Sequence, residues 1–470
     1  MTPLTRTLAD AARAVGGRLV GEDRAFGSVS SDSRTVPSGA LFVALRGPRF
    51  DGAEFVAAAA ARGAAGALVD RPVAAALPLI VVADVLAALQ TLAARWRTQF
   101  TRPLVAVAGS NGKTTTKEMT AAILARLGAC MATAGNFNNH IGVPLTLLRL
   151  DPAHRSAVVE IGANRVGEVA ALMQLVRPTV GVITNAGAEH LEGFGSLDGV
   201  AEGEGETVAG LAADATAVIN ADDAYAAYWR GITPARRIIG FGMGAGAGFT
   251  ARNPRQGVEN GAFVTHFTLV CPLGEREIVL HAGGAHNIGN ALAAAAAAGA
   301  AGASLADIAE GLETFRPVAG RLQLKAGLRD SWIIDDSYNA NPSSVRAGLD
   351  VLRTSAGPAW LVLGDMGELG ATSAELHAEL GGYARACGVQ RMFAVGAHSA
   401  RAVAAFGAGA EWFADAEALI ARLRAELSPG VTVLVKGSRV NRLERVVQAL
   451  VAAGAAAGRG PGADAAQGGG

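Results

Sequence analysis

The chain has 470 residues, half of them hydrophobic, with 41 basic and 41 acidic side chains and therefore a formal net charge of zero. That length suits about two to four ordinary domains with a sizeable core, and the balanced charge excludes a general electrostatic draw to nucleic acid or anionic lipid. Ala and Gly supply much of the positive mean hydropathy, and the Ala-rich run at 291–301 is interrupted by glycine and preceded by His286, Asn287 and Asn290, so it reads as a close-packed helix rather than a membrane span.

Residues 1–15 carry Arg6, Asp10 and Arg13 and have no apolar core segment, so no signal peptide is expected. Cys130, Cys271 and Cys387 are far apart and match no metal spacing. They read as unpaired core thiols of a cytoplasmic protein. Residues 1–85 hold short apolar runs at 41–45 and 79–82 between turns and Ala-rich helical patterns, which predicts a small N-terminal α/β domain. Residues 86–315 form the largest unit, with strands predicted at 104–108, 157–161, 180–184 and 217–220 and helices between them. This is the rhythm of a mostly parallel sheet with crossover helices. The Gly-rich stretch 240–248 reads as a loop, and the alternating 263–270 as an antiparallel strand added to that sheet. Residues 316–453 repeat the α/β rhythm, with strands predicted at 332–335, 360–363, 392–395 and 431–435. The Gly-, Ala- and Pro-rich tail 454–470 cannot bury enough surface to order itself. The expected fold class is α/β in three domains: the small N-terminal one, a central P-loop-type domain with a mostly parallel sheet, and a C-terminal Rossmann-like domain.

The buried-strand pattern 104–108 runs into Gly109, Ser110, Asn111, Gly112, Lys113, Thr114 and Thr115, and a helix follows. Glycines let backbone amides approach an anion, and the helix N-terminus adds its positive end. Lys113 can reach the β- and γ-phosphates of ATP, and the Thr114 hydroxyl can bind Mg²⁺. The usual P-loop has a further glycine six residues before its lysine, where this chain has Val107.

Glu160 ends an apolar strand and is either a Mg²⁺ ligand or a buried acid paired with a nearby arginine. His190 follows another strand and is either structural or part of the site. Glu202, Glu204 and Glu206, taken alone, read as a solvated face. Asn287 and Asn290 share a helix face, suited to a nucleobase edge or to capping. Asp335 and Asp336 end a strand and suit ribose hydroxyls or an Asx-turn. The motifs at 364–370 and 436–439 lie just past strands.

Taken together, Gly-Ser-Asn-Gly-Lys-Thr-Thr-Thr at 109–116, the Glu160 strand, His190, His-Asn-x-x-Asn at 286–290 and Gly320-Arg321 resemble the Mur ligase family. Asp-Asp-Ser-Tyr-Asn-Ala-Asn-Pro at 335–342 looks like one branch of it. The segments 135–144, 190–196, 364–370 and 436–439 support the same branch, and the likeness spans nearly the whole chain except the tail. The resemblance implies that ATP phosphorylates the peptide carboxylate of UDP-MurNAc-tripeptide and that the amine of D-Ala-D-Ala attacks the acyl phosphate, yielding a peptidoglycan precursor. It implies Lys113 on the transferring phosphate and Thr114, Glu160 and His190 at Mg²⁺. Asn287 and Asn290 match adenine contacts, Asp336 the ribose and Arg321 the phosphates. Ser31, Asp32, Ser33 and Arg34 resemble the uridine-nucleotide segment. Asn136, Asn138, Asn139, Asn339, Asn341 and Asp365 match substrate-side positions. A monomer without membrane insertion is expected.

Two departures stand out. The family often has Asp-Gly-His near the first domain's nucleotide segment, and this chain has Asp51-Gly52-Ala53. Where the family usually has Lys-Gly-Glu, with a carbamylated lysine that helps bind a second Mg²⁺, this chain has Glu204-Gly205-Glu206. Glu204 offers a carboxylate without modification, on a shorter arm, and is expected to act with the catalytic group. The rival readings are a ligase of the same family with another amino-acid substrate and a nucleotide-binding regulator that has lost catalysis.

Overall fold

The structure, a computed structural model, describes residues 6–451, so the tail 454–470 lies outside the described residues. The first sheet has five strands in the order Arg18–Val20, Leu79–Val81, Gly66–Val69, Ala40–Val43 and Ser28–Ser30, parallel except for the first pair. The second has six parallel strands in the order Arg237–Phe241, Thr216–Asn220, Val180–Ile183, Leu104–Ala108, Ser156–Glu160 and Cys130–Ala132. The third also has six, in the order Gln323–Ala326, Trp332–Asp336, Thr432–Lys436, Ala359–Gly364, Arg391–Val395 and Ala410–Phe413, with only the first antiparallel to its neighbour.

The central strands form where the sequence is continuously apolar, because helices cover both faces of a parallel sheet. All five residues of Leu104–Ala108 and of Ser156–Glu160 are buried. Glu160 therefore enters the core on the strength of its neighbours. Helix starts are set by side chains that accept a first-turn amide: Asp84 before Val85–Arg97, Ser196 before Leu197–Ala209 and Asn341 before Pro342–Leu352. The helix Ala285–Ala300 packs on the helix Lys113–Leu124, and Ala291–Ala298 apart from Leu292 present only methyl groups, fully buried. Such short side chains let the two helix backbones approach closely. Among the described residues no helix is long and apolar enough to cross a membrane.

Three expectations need correction. The 263–270 run does not join the central sheet. It is the middle strand, Ala262–Cys271, of a separate antiparallel sheet between Thr250–Glu259 and Gly274–Leu280. Its alternation buries Phe267 and Leu269, which with Ile278 and Leu280 pack into the core shared with the Ala-rich helix. The Gly-rich 240–248 is not all loop, since Gly240 and Phe241 complete the edge strand Arg237–Phe241. The three cysteines are free but only half-buried, outside the innermost core.

Topology determines where the chemistry gathers. In open α/β sheets, ligands gather at the carboxyl ends of the strands. The second and third sheets bring those ends to one cavity of about 870 Å³, lined from one side by Glu160, Thr184 and Asn220 and from the other by Asp336 and Lys436.

Candidate active site

The phosphate loop is fastened to the neighbouring strand end. Ser110 N–H donates to the Asn185 carbonyl (2.9 Å), Asn111 N–H to Asn185 Oδ1 (3.0 Å), and Thr184 Oγ1 to the Asn111 carbonyl (2.6 Å). Gly109 and Gly112 have φ of +118° and +82°. A Cβ at Gly109 would collide with Thr184, and one at Gly112 with the amide of Asn290. Both positions therefore require glycine for conformation and for space.

Lys113 opens the helix after the loop. Its Nζ donates to the carbonyls of Gly109 and Ser110 and to Glu189 Oε1 (3.1 Å). Burial alone would lower the ammonium's pKa, but Glu189, Glu204 and Glu160 outweigh it and hold the pKa above its ordinary value. Glu189 is a site residue that the sequence reading missed. Its only signal was its place directly before His190.

Glu204 is not on a solvated face. Its carboxylate is buried under the loop, where Oε2 accepts the Gly109 N–H (2.6 Å) and Oε1 has no partner. Glu202 on the same helix is exposed, as a solvated face requires. Burial raises the Glu204 carboxyl to about 7, with Lys113 pulling down and Glu189 pushing up. An acid whose folded pKa is raised stabilises the fold fully below its ordinary 4.5, and the contribution is lost as pH climbs through about 7. The loss is on the order of 3 kcal/mol. The melting temperature is expected to fall between about pH 5 and pH 8, and Glu204→Gln to flatten that slope. Equal slopes in the two proteins would contradict this assignment.

Among the described residues Glu160 has no arginine partner. Asn138 Nδ2 donates to its Oε1 (2.9 Å), and its buried Oε2 is unpaired. Asn136, Asn138 and Asn139 all line the cavity, and Asn139 Oδ1 also accepts the N–H groups of Ile141 and Gly142. His190 lines the cavity in a left-handed conformation (φ +49°), and its Nδ1 meets Glu368 Oε2 of the third domain.

Neither Asn287 nor Asn290 caps its helix, since the N-cap is Gly284, without a side-chain cap bond. Asn287 Nδ2 donates to the Gly283 carbonyl (2.7 Å), Asn290 Nδ2 to Asn287 Oδ1 (2.9 Å), and Thr116 Oγ1 to Asn290 Oδ1 (3.3 Å). Both amides line the cavity and brace the helix that carries Lys113.

From the third domain, Arg321 Nη2 donates to Thr114 Oγ1 (3.1 Å), and the guanidinium lies 4.5 Å from the centre of the Tyr338 ring. Asn341 Nδ2 donates to Asn111 Oδ1 (2.8 Å), while Asn111 Nδ2 donates to Ser343 Oγ (3.0 Å). Asp335 is bound to Lys325 (2.6 Å) and to Ser337, so the turn reading holds for it. Asp336 faces the cavity and pairs with Lys436, which also donates to the Asn339 carbonyl (3.1 Å).

Gly109 and Glu204 sit behind the loop without lining the cavity, and two further groups of predicted site residues lie away from it. The Asp365 carboxylate accepts the N–H groups of His398 (3.2 Å) and Ser399 (2.7 Å) and does not line the cavity. Ser31, Asp32, Ser33 and Arg34 lie outside it, where the Arg34 side chain bonds the Asp32 carboxylate and holds its pKa at about 2. Among the described residues no group of three or more His, Cys, Asp or Glu side chains is arranged to hold a metal ion. The carboxylate atoms Glu160 Oε2 and Glu204 Oε1 are nevertheless buried and unpaired, which fits a cation held by one or two acids together with phosphates and water.

A glycine-turned loop on one sheet, facing an arginine and amides from another across a shared cavity, is the arrangement of a multidomain enzyme that handles an anionic ligand between its sheets. The chain belongs to the Mur ligase family: the family's catalytic domain matches residues 26–97, its middle domain 107–298, and its glutamate ligase domain 320–439. It is 43% identical over 447 residues to the UDP-N-acetylmuramoyl-tripeptide–D-alanyl-D-alanine ligase of Escherichia coli, covering 94% of this chain and 98% of that one. The enzyme of the same name from Haemophilus influenzae is 37% identical over 451 residues, covering 93% and 97%. A crystal structure of MurF from Acinetobacter baumannii superposes with a TM-score of 0.86 at 35% identity, covering 95% of this chain and 99% of that one. MurF ligase from Thermotoga maritima, in complex with ADP, superposes with a TM-score of 0.78 at 27% identity, covering 90% and 96%.

Proposed function

We propose that this chain joins D-Ala-D-Ala to UDP-MurNAc-tripeptide at the expense of ATP, forming the UDP-MurNAc-pentapeptide from which peptidoglycan is built. The observation that carries the reading is the confrontation of Lys113 and Thr114 with Arg321 across one cavity. The two sides hold a phosphoryl donor and a peptide acceptor in line. A carboxylate oxygen of the tripeptide attacks the γ-phosphorus of ATP, and the bond to ADP breaks. The dipeptide amine then attacks the acyl carbon, loses a proton, and expels phosphate. Little covalent chemistry falls to the protein, whose work is positioning and charge neutralisation.

Lys113 and Arg321 neutralise the transferring group from opposite sides. Thr114, Glu160 and His190 are the residues that would hold Mg²⁺, which when bound offsets phosphate charge. Asn287 and Asn290 keep the adenine side of the cavity, and Asp336 the ribose side. Residues 1–85 are assigned to the UDP-substrate, 86–315 to ATP and 316–453 to the ligation step. Glu204 takes the place of the modified lysine, with Oε2 on the loop and Oε1 buried without a hydrogen-bond partner.

The deciding assay is phosphate release from ATP with UDP-MurNAc-tripeptide, with and without D-Ala-D-Ala. Release that depends on the dipeptide is expected, and its absence overturns the reading in favour of another amino-acid substrate or a lost catalyst. Depleting bicarbonate is expected to leave the rate unchanged, and Glu204→Ala to raise the Mg²⁺ concentration needed for half-activity about tenfold. A variant with wild-type Mg²⁺ dependence removes Glu204 from that role.

A further inference from the structure

Residues 365–369 form a turn just after the strand Ala359–Gly364, and the third domain pins it firmly. Met366 N–H donates to His377 Nε2 (3.0 Å), Gly367 N–H to Ser438 Oγ (2.7 Å), and Asn441 Nδ2 to the Asp365 carbonyl (2.7 Å). The turn includes Glu368, which has φ +61°. Glu368 crosses to the central domain in two ways. Its carbonyl accepts the N–H of Glu192 (3.3 Å), and its Oε2 meets His190 Nδ1. Nearby, Gly370 lies against the backbone of Glu192.

Both partners are non-glycine residues in the left-handed region. Such conformations persist where the surroundings over-determine them, and they cluster at functional sites. Here the two occur at one contact between domains, and His190 lines the cavity with the phosphate loop. A carboxylate on Nδ1 fixes the tautomer of the neutral imidazole: Nδ1 carries the proton and Nε2 keeps its lone pair.

We propose that Glu368 is a positioning residue for the transfer reaction, holding His190 in the tautomer with a bare Nε2 only while the third domain is docked on the central one. This rests on the ligase reading for its kinetic consequence and on geometry alone for the tautomer. The His190 ring is thereby completed as a reactive group by a residue of another domain. The reaction centre assembles only when the domains meet, and this limits phosphoryl transfer to water when the acceptor domain is away.

The test is ¹⁵N spectroscopy of the imidazoles of the full chain, which has eight histidines, with His190 assigned through His190→Gln. In spectra recorded on the neutral ring, at the alkaline end of its titration, wild type is expected to show His190 with Nε2 unprotonated, and Glu368→Ala a mixture of tautomers. In the dipeptide-dependent assay, Glu368→Ala is expected to lower kcat about tenfold or more with KM for the tripeptide within about twofold, and Glu368→Gln, which keeps an acceptor oxygen, to recover most of the rate. A wild-type His190 protonated at Nε2 overturns the proposal without recourse to any variant, and so does a Glu368→Ala kcat within about twofold of wild type. Should wild type release no phosphate with this substrate pair, the ligase reading fails, while the spectra still decide the tautomer.

Discussion

Lys113→Met is expected to lower kcat about a thousandfold, read as dipeptide-dependent phosphate release. One preorganised donor facing developing charge is worth about 10²–10³ in rate, and Lys113 is the ammonium in reach of the loop carbonyls, Glu189 and, by electrostatics, Glu204 and Glu160. The same substitution has a second signature. It removes the positive partner from a cluster of buried acids, and orphaning a buried ion costs about 3–5 kcal/mol. The melting temperature of the variant should therefore drop most at pH 8 and recover toward pH 6, where Glu204, raised to about 7, takes up its proton. A variant that keeps wild-type kcat would remove the lysine from the transfer step.

Arg321→Ala is expected to cost about a hundredfold or more in kcat with little change in melting temperature. Its guanidinium reaches from the third domain over Tyr338 to Thr114, and its buried Nε has no partner. The side chain is thus held in place by stacking while its Nη2 donates to Thr114. Arg321→Lys should recover less than about tenfold, because an ammonium neither stacks on the ring nor offers a planar fork of donors. Recovery of most of the rate by lysine would mean that only charge matters there.

Much of this was legible in the chain. The central strands stand out because parallel strands buried on both faces need long apolar runs, as at 104–108 and 180–183. The loop stands out because only a strand, two glycines and a helix in that order build an anion cradle. Edges were harder to read. Thr250–Glu259 and Gly274–Leu280 are rich in charged residues and become strands through their pairing with Ala262–Cys271. Arg237–Phe241 starts exposed, and its Gly240 opens the glycine-rich run that made it look like a loop.

The site shows the same division. Glu160 ends its strand, and the loops that leave the ends of two others lead to Lys113 and His190, so strand order alone points them to one edge. Glu189 became visible only once the strand Val180–Ile183 was set beside Leu104–Ala108. Glu204 read as one of three evenly spaced acids until helix Leu197–Ala209 turned it inward and its neighbour Glu202 outward. Glu368 belongs to a motif whose partner lies in another domain, and no local pattern encodes such a contact.

The three-way hold on Lys113 has a further consequence. Its ammonium is already matched by two carbonyls and a carboxylate, so a small anion gains little by displacing them. A lone orthophosphate, the by-product of the proposed turnover, would have to displace Glu189 and face the charge of Glu204 without an adenine or ribose to anchor it. The arrangement thus weighs against a lone phosphate at this lysine and in favour of a nucleotide that brings further contacts.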